Sequence, residues 1–307
     1  MDALSEFLST VRVEGSLFSR AELGAPWGVS TRGGDGSGIF HAVVAGGGQL
    51  LVEGEPDRQF RAGDLLVMPH GHAHVLRTEP GAPVRHISEY PSEREDDGLP
   101  CLRGGGPGAP TSLLCGTFRF DAEGRSALLP LLPPVIHVQG GTGATAAWLD
   151  GTLRQLADEL AANRPGSAVL VARLADLLFV HVIRSWVEQG PDTSAGWLGA
   201  LRDPRLARAV ARIHGEAAEP WTVEKLAREA GMSRSAFFSL FNEVVGEPPA
   251  AYLTRWRMTL ARKRLRRTRA GMAEVAEAVG YGSEAAFSRA FKRHVGQSPS
   301  AWRRAQA

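Results

Sequence analysis

Two matched segments near the carboxyl end share the same residue types at nearly the same spacing. They span 226–253 and 275–302, and each has a glycine, a serine and two phenylalanines in the same order: Gly231, Ser233, Phe237 and Phe241, then Gly280, Ser283, Phe287 and Phe291. Glycine permits a left-handed turn, and serine caps the helix that follows. The pattern predicts a helix, a turn and a second helix in each segment, with the phenylalanines and Val244 facing inward. The second helix could then enter a major groove.

The outward side of each second helix is where base contacts are expected. Its residues are Arg234, Ser235, Phe238 and Ser239 in the first segment, and Glu284, Ser288, Arg289 and Lys292 in the second. Arginine forks onto guanine O6 and N7, whereas serine is a weaker and less selective reader. Ser239 stands where the second segment has Arg289, so three interpretations stay open. The first helix reads fewer guanines, places Phe238 against a thymine methyl, or depends more on Arg234.

Charge is distributed unevenly along the chain. Residues 200–307 hold 20 lysines and arginines against 10 acidic residues, whereas residues 1–199 hold 15 against 23. A basic module beside an acidic one is the electrostatic pattern of a polyanion-binding unit. An arginine-rich stretch between the two segments includes Arg266 and Arg267, which we expect to contact phosphates and to make binding salt-sensitive. The predicted partner is double-stranded DNA.

Histidines suggest a second kind of chemistry in the first half of the chain. The stretch Gly63–His74 has the spacing G-x5-P-x-G-x2-H, which resembles the second sequence motif of the cupins. His41, His72 and His74 are then candidate ligands of a divalent metal, because three protein ligands are the usual minimum at a catalytic metal. His70 or His86 could take the place of His72. The alternative is that His74 is a remnant of a barrel site and that the other histidines lie in loops or at the surface.

The two cysteines suggest a third possibility, a redox switch. Cys115 lies in an apolar strand, and Cys101 is expected in a loop near Arg103, whose positive charge would lower the pKa of the thiol. Oxidation would join the two cysteines if the loop folded back, and the alternative is two unconnected thiols. Two cysteines are too few for a disulfide framework and suit a reducing compartment.

The elements that must position these residues fall into two classes, so the predicted fold is α+β with several domains. Residues 1–140 are short apolar runs separated by turn residues, which predicts an antiparallel β-barrel with a mobile loop at 91–110. Residues 141–189 predict two helices. The second is apolar on nearly every side, so one side is expected to pack on the barrel. The other side packs either against the same helix of a second chain or within its own chain. Residues 190–199 are expected to be a linker, and residues 200–307 an all-helical domain.

Residues 200–307 resemble the DNA-binding domain of the AraC/XylS family of bacterial transcription regulators. The stretches that carry the resemblance are LAREAGMSRSAF, GEPPAAYLTRWRM, EVAEAVGYGSEAAFSRAFKRHVGQSP and SAWRR. The resemblance implies seven helices, of which the third and sixth read the bases, and a structural role for Arg257. With a cupin-like domain in front, it implies a cytoplasmic, non-enzymatic, sequence-specific regulator, usually an activator. Such a regulator would work as a homodimer with RNA polymerase and respond to a small molecule, metal or oxidant at the barrel.

Two other functions stay open. The chain could be a cupin-type metalloenzyme tethered to a helical DNA-binding domain, or a nucleoid protein that binds DNA without sequence preference. A membrane protein is not expected, since no stretch approaches twenty apolar residues. The first residues also have neither the basic region nor the apolar core of a secretion signal.

Overall fold

The chain forms two compact units in the computed structural model, which describes residues 2–10, 13–34, 36–94, 100–140, 144–162, 164–189 and 196–305. The sheet unit comprises residues 13–189, and the helical unit comprises residues 1–12 together with 190–307. Helix α1 (Ala3–Thr10) therefore belongs to the helical unit, whereas the sequence pattern groups it with the barrel. No helix in the described part of the chain is long and apolar enough to cross a membrane.

The sheet unit contains two separate sheets rather than one ring of strands. The first is built from β1 (Val13–Gly24), β3 (Gly38–Ala45), β6 (Leu65–Met68), β9 (Ser92–Arg94), β10 (Pro100–Gly105), β11 (Pro110–Phe120) and β12 (Ile136–Val138). Its order is β12-β6-β3-β11-β1-β10-β9. The second is built from β2 (Gly28–Thr31), β4 (Gly47–Val52), β5 (Arg58–Arg61), β7 (His74–Arg77) and β8 (Arg85–His86). Its order is β5-β4-β7-β2-β8, so among the described strands hydrogen bonding does not close the predicted barrel.

The two sheets share one apolar core. Val43 and Leu66 enter it from the first sheet, and Leu50 and Leu76 from the second. Alternate residues of a strand point to the same face, so each strand can give one face to this core. Trp27 is fully buried in it, and its indole N–H donates to Thr111 Oγ1 at 3.3 Å, which satisfies the one polar atom of that ring.

Two longer helices, α3 (Ala144–Ala162) and α4 (Ser167–Gln189), follow the short helix α2 (Ala122–Ala127). Helix α4 packs on β1 and β11, where the Phe179 ring meets Phe118 and Phe120 at 5.1 and 5.3 Å. A side chain at Gly15 would lie 2.6 Å from the Ala175 Cβ atom, so glycine is what lets the helix approach the strand. The outer side of α4 keeps three large apolar side chains exposed: Val169, Leu170 and Leu177.

The sequence predicts a mobile loop at 91–110, of which residues 95–99 lie outside the described residues, and the described parts include strands. The segment contributes β9 and β10, and β10 runs parallel to β1 with Cys101 beside Arg20. Cys101 is therefore a fully buried strand residue and not a loop thiol. The sequence misled because glycine and proline are turn residues, while the strand pairing depends on β1, about eighty residues earlier in the chain.

The helical unit has the order that the resemblance implies. After a buried turn of helix α5 (Trp197–Ala200) come α6 (Pro204–Gly215), α7 (Val223–Ala230), α8 (Arg234–Val245), α9 (Pro249–Arg267), α10 (Met272–Ala278), α11 (Glu284–Val295) and α12 (Pro299–Ala305). Counted from α6 there are seven helices, and α8 and α11 are the third and sixth. Trp197, which the sequence places in the linker, is buried in this unit; residues 190–195 of that linker lie outside the described residues.

Candidate functional site

The first helix pair, α7 and α8, is built as its sequence predicts. Gly231 ends α7 in the left-handed conformation, with φ of +68°. Ser233 then caps α8, its Oγ accepting from the Ala236 N–H at 3.3 Å. Phe237 and Phe241 are fully buried. The third inward residue is Val245 rather than Val244, a difference of one residue that the spacing alone did not resolve.

The second helix pair, α10 and α11, repeats this frame. The Gly280 φ is +78°, and a Cβ atom there would lie 2.5 Å from the Ala218 carbonyl oxygen, so only glycine fits. Ser283 Oγ accepts from the Ala286 N–H at 3.2 Å and caps α11. Phe287 and Phe291 are fully buried. Each pair thus presents one capped helix whose other side faces solvent.

The outward side of α8 is mostly neutral. Ser235, Phe238 and Ser239 are exposed, the Phe238 residue by 43%. Arg234 is also exposed, but its Nε lies 2.5 Å from Glu224 Oε1 on α7. Surface ion pairs of this kind contribute little to stability, so Glu224 neutralises part of the Arg234 charge without holding the side chain firmly.

The outward side of α11 is charged. Glu284, Arg289 and Lys292 are exposed and Ser288 is partly exposed, and the last turn is basic, with Lys292, Arg293 and His294. Neither Arg289 nor Lys292 forms an ion pair with any residue that the structure describes. The Arg289 guanidinium is therefore ready to fork onto an acceptor pair such as guanine O6 and N7.

The helix between the two pairs, α9, divides its arginines between structure and surface. Arg257 donates from Nε to the Ala217 carbonyl at 2.7 Å and from its second guanidinium nitrogen to the Glu219 carbonyl at 2.8 Å, which confirms its expected structural role. Near the carboxyl end of the helix, Arg267 is exposed and Arg266 is half-buried. Both arginines thus remain at least partly accessible at the surface of the helical unit.

A buried cluster in the helical unit is one that the sequence did not predict. His214 donates from Nδ1 to the Ala3 carbonyl at 3.0 Å and accepts at Nε2 from the Tyr252 hydroxyl at 2.6 Å. Phe7 lies against Trp197, with ring centroids 4.6 Å apart. Burial lowers the pKa of His214 to about 3. The apolar spacing of Ala3 and Phe7 on one short helix was the available signal, but nothing local says which unit that helix joins.

The sheet unit holds a buried chain of polar side chains, which we call the thiol–imidazole chain: Cys115, His41 and His74. His41 Nδ1 lies 3.0 Å from Cys115 Sγ, and His41 Nε2 lies 2.7 Å from His74 Nε2. His74 Nδ1 lies 2.9 Å from the His72 carbonyl oxygen. One proton arrangement satisfies all three contacts: the thiol donates to His41, His41 donates to His74, and His74 donates to that carbonyl.

Burial keeps this chain neutral. It lowers the pKa of His41 well below its ordinary value, helped by the nearby His74, and it lowers the pKa of His74 as well. The same burial raises the pKa of the Cys115 thiol to about 12. A buried group disfavours its charged form unless a partner compensates, so at neutral pH all three side chains are uncharged hydrogen-bonding groups.

The structure does not bring the three predicted metal ligands together. His41 and His74 are adjacent, but His72 offers them only its backbone carbonyl. In the described residues no group of three or more histidine, cysteine, aspartate or glutamate side chains has an arrangement that could hold a metal ion. Both nitrogens of His41 already have partners. The residues therefore do not fit a three-ligand metal site, and nothing in them favours the metalloenzyme alternative.

The two cysteines lie on opposite faces of one sheet. Cys101 pairs with Arg20 of β1, whereas Cys115 pairs with Ser19, the residue next to it. Neighbouring residues of a strand point to opposite faces. Both thiols are buried, and Cys115 alone of the two belongs to the core between the sheets. A bond between them would require a strand to turn over, so the geometry gives the predicted disulfide no support.

Comparisons with known proteins match both units. A Cupin family model matches residues 2–188, and a Helix-turn-helix domain model matches residues 226–305. The chain is similar to an AraC-like transcription regulator of Streptomyces lividans, at 35% identity over 99% of this chain and 98% of that protein. It is 31% identical to the HTH-type transcriptional regulator AlkR of Acinetobacter baylyi, over 99% of each chain. It is 29% identical to the RCS-specific HTH-type transcriptional activator RclR of Escherichia coli, over 99% of this chain and 97% of that one.

Proposed function

The chain belongs to the AraC-like transcription regulators, DNA-binding proteins of the helix-turn-helix type, and from this premise we propose that α8 and α11 each read one major-groove site. The repeated frame is the observation that carries the proposal. Two capped helices on buried phenylalanine pairs present their outward sides, and one of them bears the exposed Arg289. Two such units on one chain suit sites about one turn of DNA apart.

We propose different roles for the arginines. Arg289 reads a guanine, whereas Arg266 and Arg267 contact phosphates, which hold the register without reading sequence. Lys292 and Ser288 flank Arg289 and support it, and Arg234, Ser235, Phe238 and Ser239 form the corresponding surface on α8.

The test of sequence-specific binding is selection from random DNA. The full chain would be incubated with a pool of random duplexes, and the retained DNA would be sequenced. We expect one enriched motif with two unequal parts about one helical turn apart. Retained DNA without any motif, together with footprints spread evenly over random DNA, would support the nucleoid-protein alternative and contradict the proposal.

We further propose that the chain is an activator that works with RNA polymerase. The relative RclR is named an activator, and the two chains align over nearly their whole length. The measurement is transcription in vitro from a promoter that carries the selected motif, with and without the protein. More transcript supports activation, and less transcript contradicts it.

The sheet unit is the proposed site of control, and the thiol–imidazole chain is its chemically distinctive feature. A buried polar group left without its partner costs about 1–3 kcal/mol. A small molecule that takes one partner away therefore disturbs the core between the sheets and shifts the population of states available to the unit. An oxidant is the less favoured signal, because oxidants attack the thiolate and burial keeps the Cys115 thiol protonated. A metal signal is not proposed, because these side chains do not fit a three-ligand site.

A promoter reporter exposed to a panel of oxidants and small molecules tests this control. Cys115→Ala is expected to abolish the response that the unaltered protein gives, because it removes the first donor of the thiol–imidazole chain. Cys101→Ala is the matched control, since Cys101 is an equally buried thiol on the other face of the sheet. Loss of the response in both variants, or in neither, contradicts the assignment.

The regulator is proposed to be a homodimer through α4. Val169, Leu170 and Leu177 are 65%, 46% and 49% exposed on one side of this helix, and a second copy offers the same side for an isologous contact. Sedimentation of Leu170→Asp/Leu177→Asp is expected to show a monomer. Gln155→Asp, a change at an exposed position of α3, is expected to leave the dimer intact, and an unchanged mass in the double variant contradicts the proposal.

A further inference from the structure

Phe238 is unusual among the aromatic residues of its helix. Its neighbours in sequence and helix turn, Phe237 and Phe241, are fully buried, whereas Phe238 is 43% exposed. In the described part of the helical unit it is the one large apolar side chain that is exposed. Single exposed apolar residues are common on protein surfaces. The role of Phe238 therefore depends on the surface on which it lies.

That surface is the outward side of α8. Arg234 and Ser235 lie four and three positions before Phe238, and three- and four-residue spacings share one face of a helix. Ser239 follows it, and all three neighbours are exposed. Phe238 thus lies among exposed residues with hydrogen-bonding side chains, on the side of the helix that remains open after the phenylalanine pair is buried.

The corresponding residues of α11 are different. Ser288 stands where α8 has Phe238, and Arg289 stands where α8 has Ser239. On α11 the strong reader is an exposed guanidinium, whereas on α8 the arginine nearest the turn is engaged with Glu224. In place of an unpaired guanidinium, α8 offers the exposed phenyl ring of Phe238.

A phenyl ring in the major groove has one matching group to contact. The thymine C5-methyl is the apolar group that base pairs present there, and the other groups at base edges are hydrogen-bond donors and acceptors. A ring placed over those polar edges removes their water without replacing its hydrogen bonds, which is unfavourable. The ring therefore favours thymine twice, by contact with the methyl and by penalty at other bases.

We propose that Phe238 recognises a thymine methyl, so that α8 reads an A·T pair by apolar contact while α11 reads a guanine through Arg289. This rests on the proposed sequence-specific binding and adds the chemistry of one half of the site. It selects one of the three interpretations that the sequence leaves open. It also implies that the DNA site is asymmetric: the part read by α8 and the part read by α11 cannot be swapped without loss of binding.

The test removes only the methyl group. In the motif selected from random DNA, each thymine is replaced singly by deoxyuridine, and the dissociation constant of the full chain is measured. We expect one sensitive thymine, in the half of the site that does not contain the guanine read by Arg289. Replacing it should lower affinity roughly 4-fold, the effect of removing one buried methyl group. Phe238→Ala is expected to bind the thymine and deoxyuridine sites equally.

Two variants separate methyl contact from general damage. Ser288→Ala changes the corresponding position of α11. It alters affinity through the other half of the site, and the ratio of affinities for the thymine and deoxyuridine sites is expected to stay that of the unaltered chain. Phe238→Leu keeps an apolar side chain and is expected to keep part of it. The scan with the unaltered chain does not depend on any variant folding.

The outcomes distinguish this inference from the function on which it rests. If no motif is selected at all, the proposed sequence-specific function fails. If a motif is selected but no thymine is sensitive to deoxyuridine, or the sensitivity persists in Phe238→Ala, DNA reading stands and the inference about Phe238 is overturned. That second result would indicate that the phenyl ring contacts a protein partner instead of DNA.

Discussion

The helices α8 and α11 share the same buried frame but differ in the charge of their outward sides. Both begin at a serine cap, end at a left-handed glycine and bury two phenylalanines. Yet the last turn of α8 has no basic residue, whereas that of α11 has three. The comparison teaches that the buried residues fix where each helix lies and the outward residues fix the chemistry of its surface, so the two properties can change independently.

The largest expected effect tests the shared frame. Phe241→Ala and Phe291→Ala each remove a fully buried ring, and each should lower the free energy of unfolding by about 3–5 kcal/mol. Urea denaturation of the helical unit in the full chain measures this. Phe238→Ala is the control and should change far less, because its ring is exposed. A large destabilisation at one buried ring and none at the other would break the equivalence of the two pairs.

The next effect sharpens the difference between the surfaces. Ser239→Arg places on α8 the arginine that α11 carries at the corresponding position, Arg289. The new guanidinium should create a preference for guanine of about 1–3 kcal/mol at one position of the first half-site. Repeating the selection from random DNA with this variant measures the change. An unaltered motif would mean that the outward side of α8 does not meet bases.

A smaller effect is the pH dependence of stability that a buried histidine gives to the first helix-turn-helix half of the helical unit. His214, beneath the first half, has its pKa lowered to about 3 by burial, against about 6.5 when unfolded. The unfolded chain binds more protons between these values, so stability is present above pH 6.5 and decreases as the pH falls towards 3. Unfolding should cost about 1.4 kcal/mol less at pH 5.5 than at neutral pH. His214→Gln should remove that part of the slope, and an unchanged slope would contradict the assignment.

The helical unit could be predicted because its signals are local. Gly231, Ser233 and Phe237 lie within seven residues, and each acts on its own turn or helix. The inward Val245 was missed by one position, since Val244 and Val245 are chemically identical. The union of α1 with this unit could not be predicted, because Phe7 meets Trp197 across 190 residues of chain.

The sheet unit was predicted only in outline, because strand pairing is not a local property. The alternating apolar runs indicated strands, but not that β1 would lie between β10 and β11. That pairing decides which face each cysteine takes. The spacing of the histidines likewise suggested a metal set, while the fold joins His41 and His74 to Cys115. A sequence motif gives the residue types at a site, and the register of the sheet decides their neighbours.

The most direct test of the account compares Arg289→Ala with Arg266→Ala/Arg267→Ala on every single-base variant of the selected site. For Arg289→Ala we expect binding to weaken by about 1–3 kcal/mol and base preference to disappear at one position. For the double variant we expect weaker binding to all sequences alike, with the salt slope reduced by about 1 for each phosphate that the protein no longer neutralises. If both proteins bind every sequence more weakly by the same factor, the division between a base-reading helix and a phosphate-contacting helix is wrong.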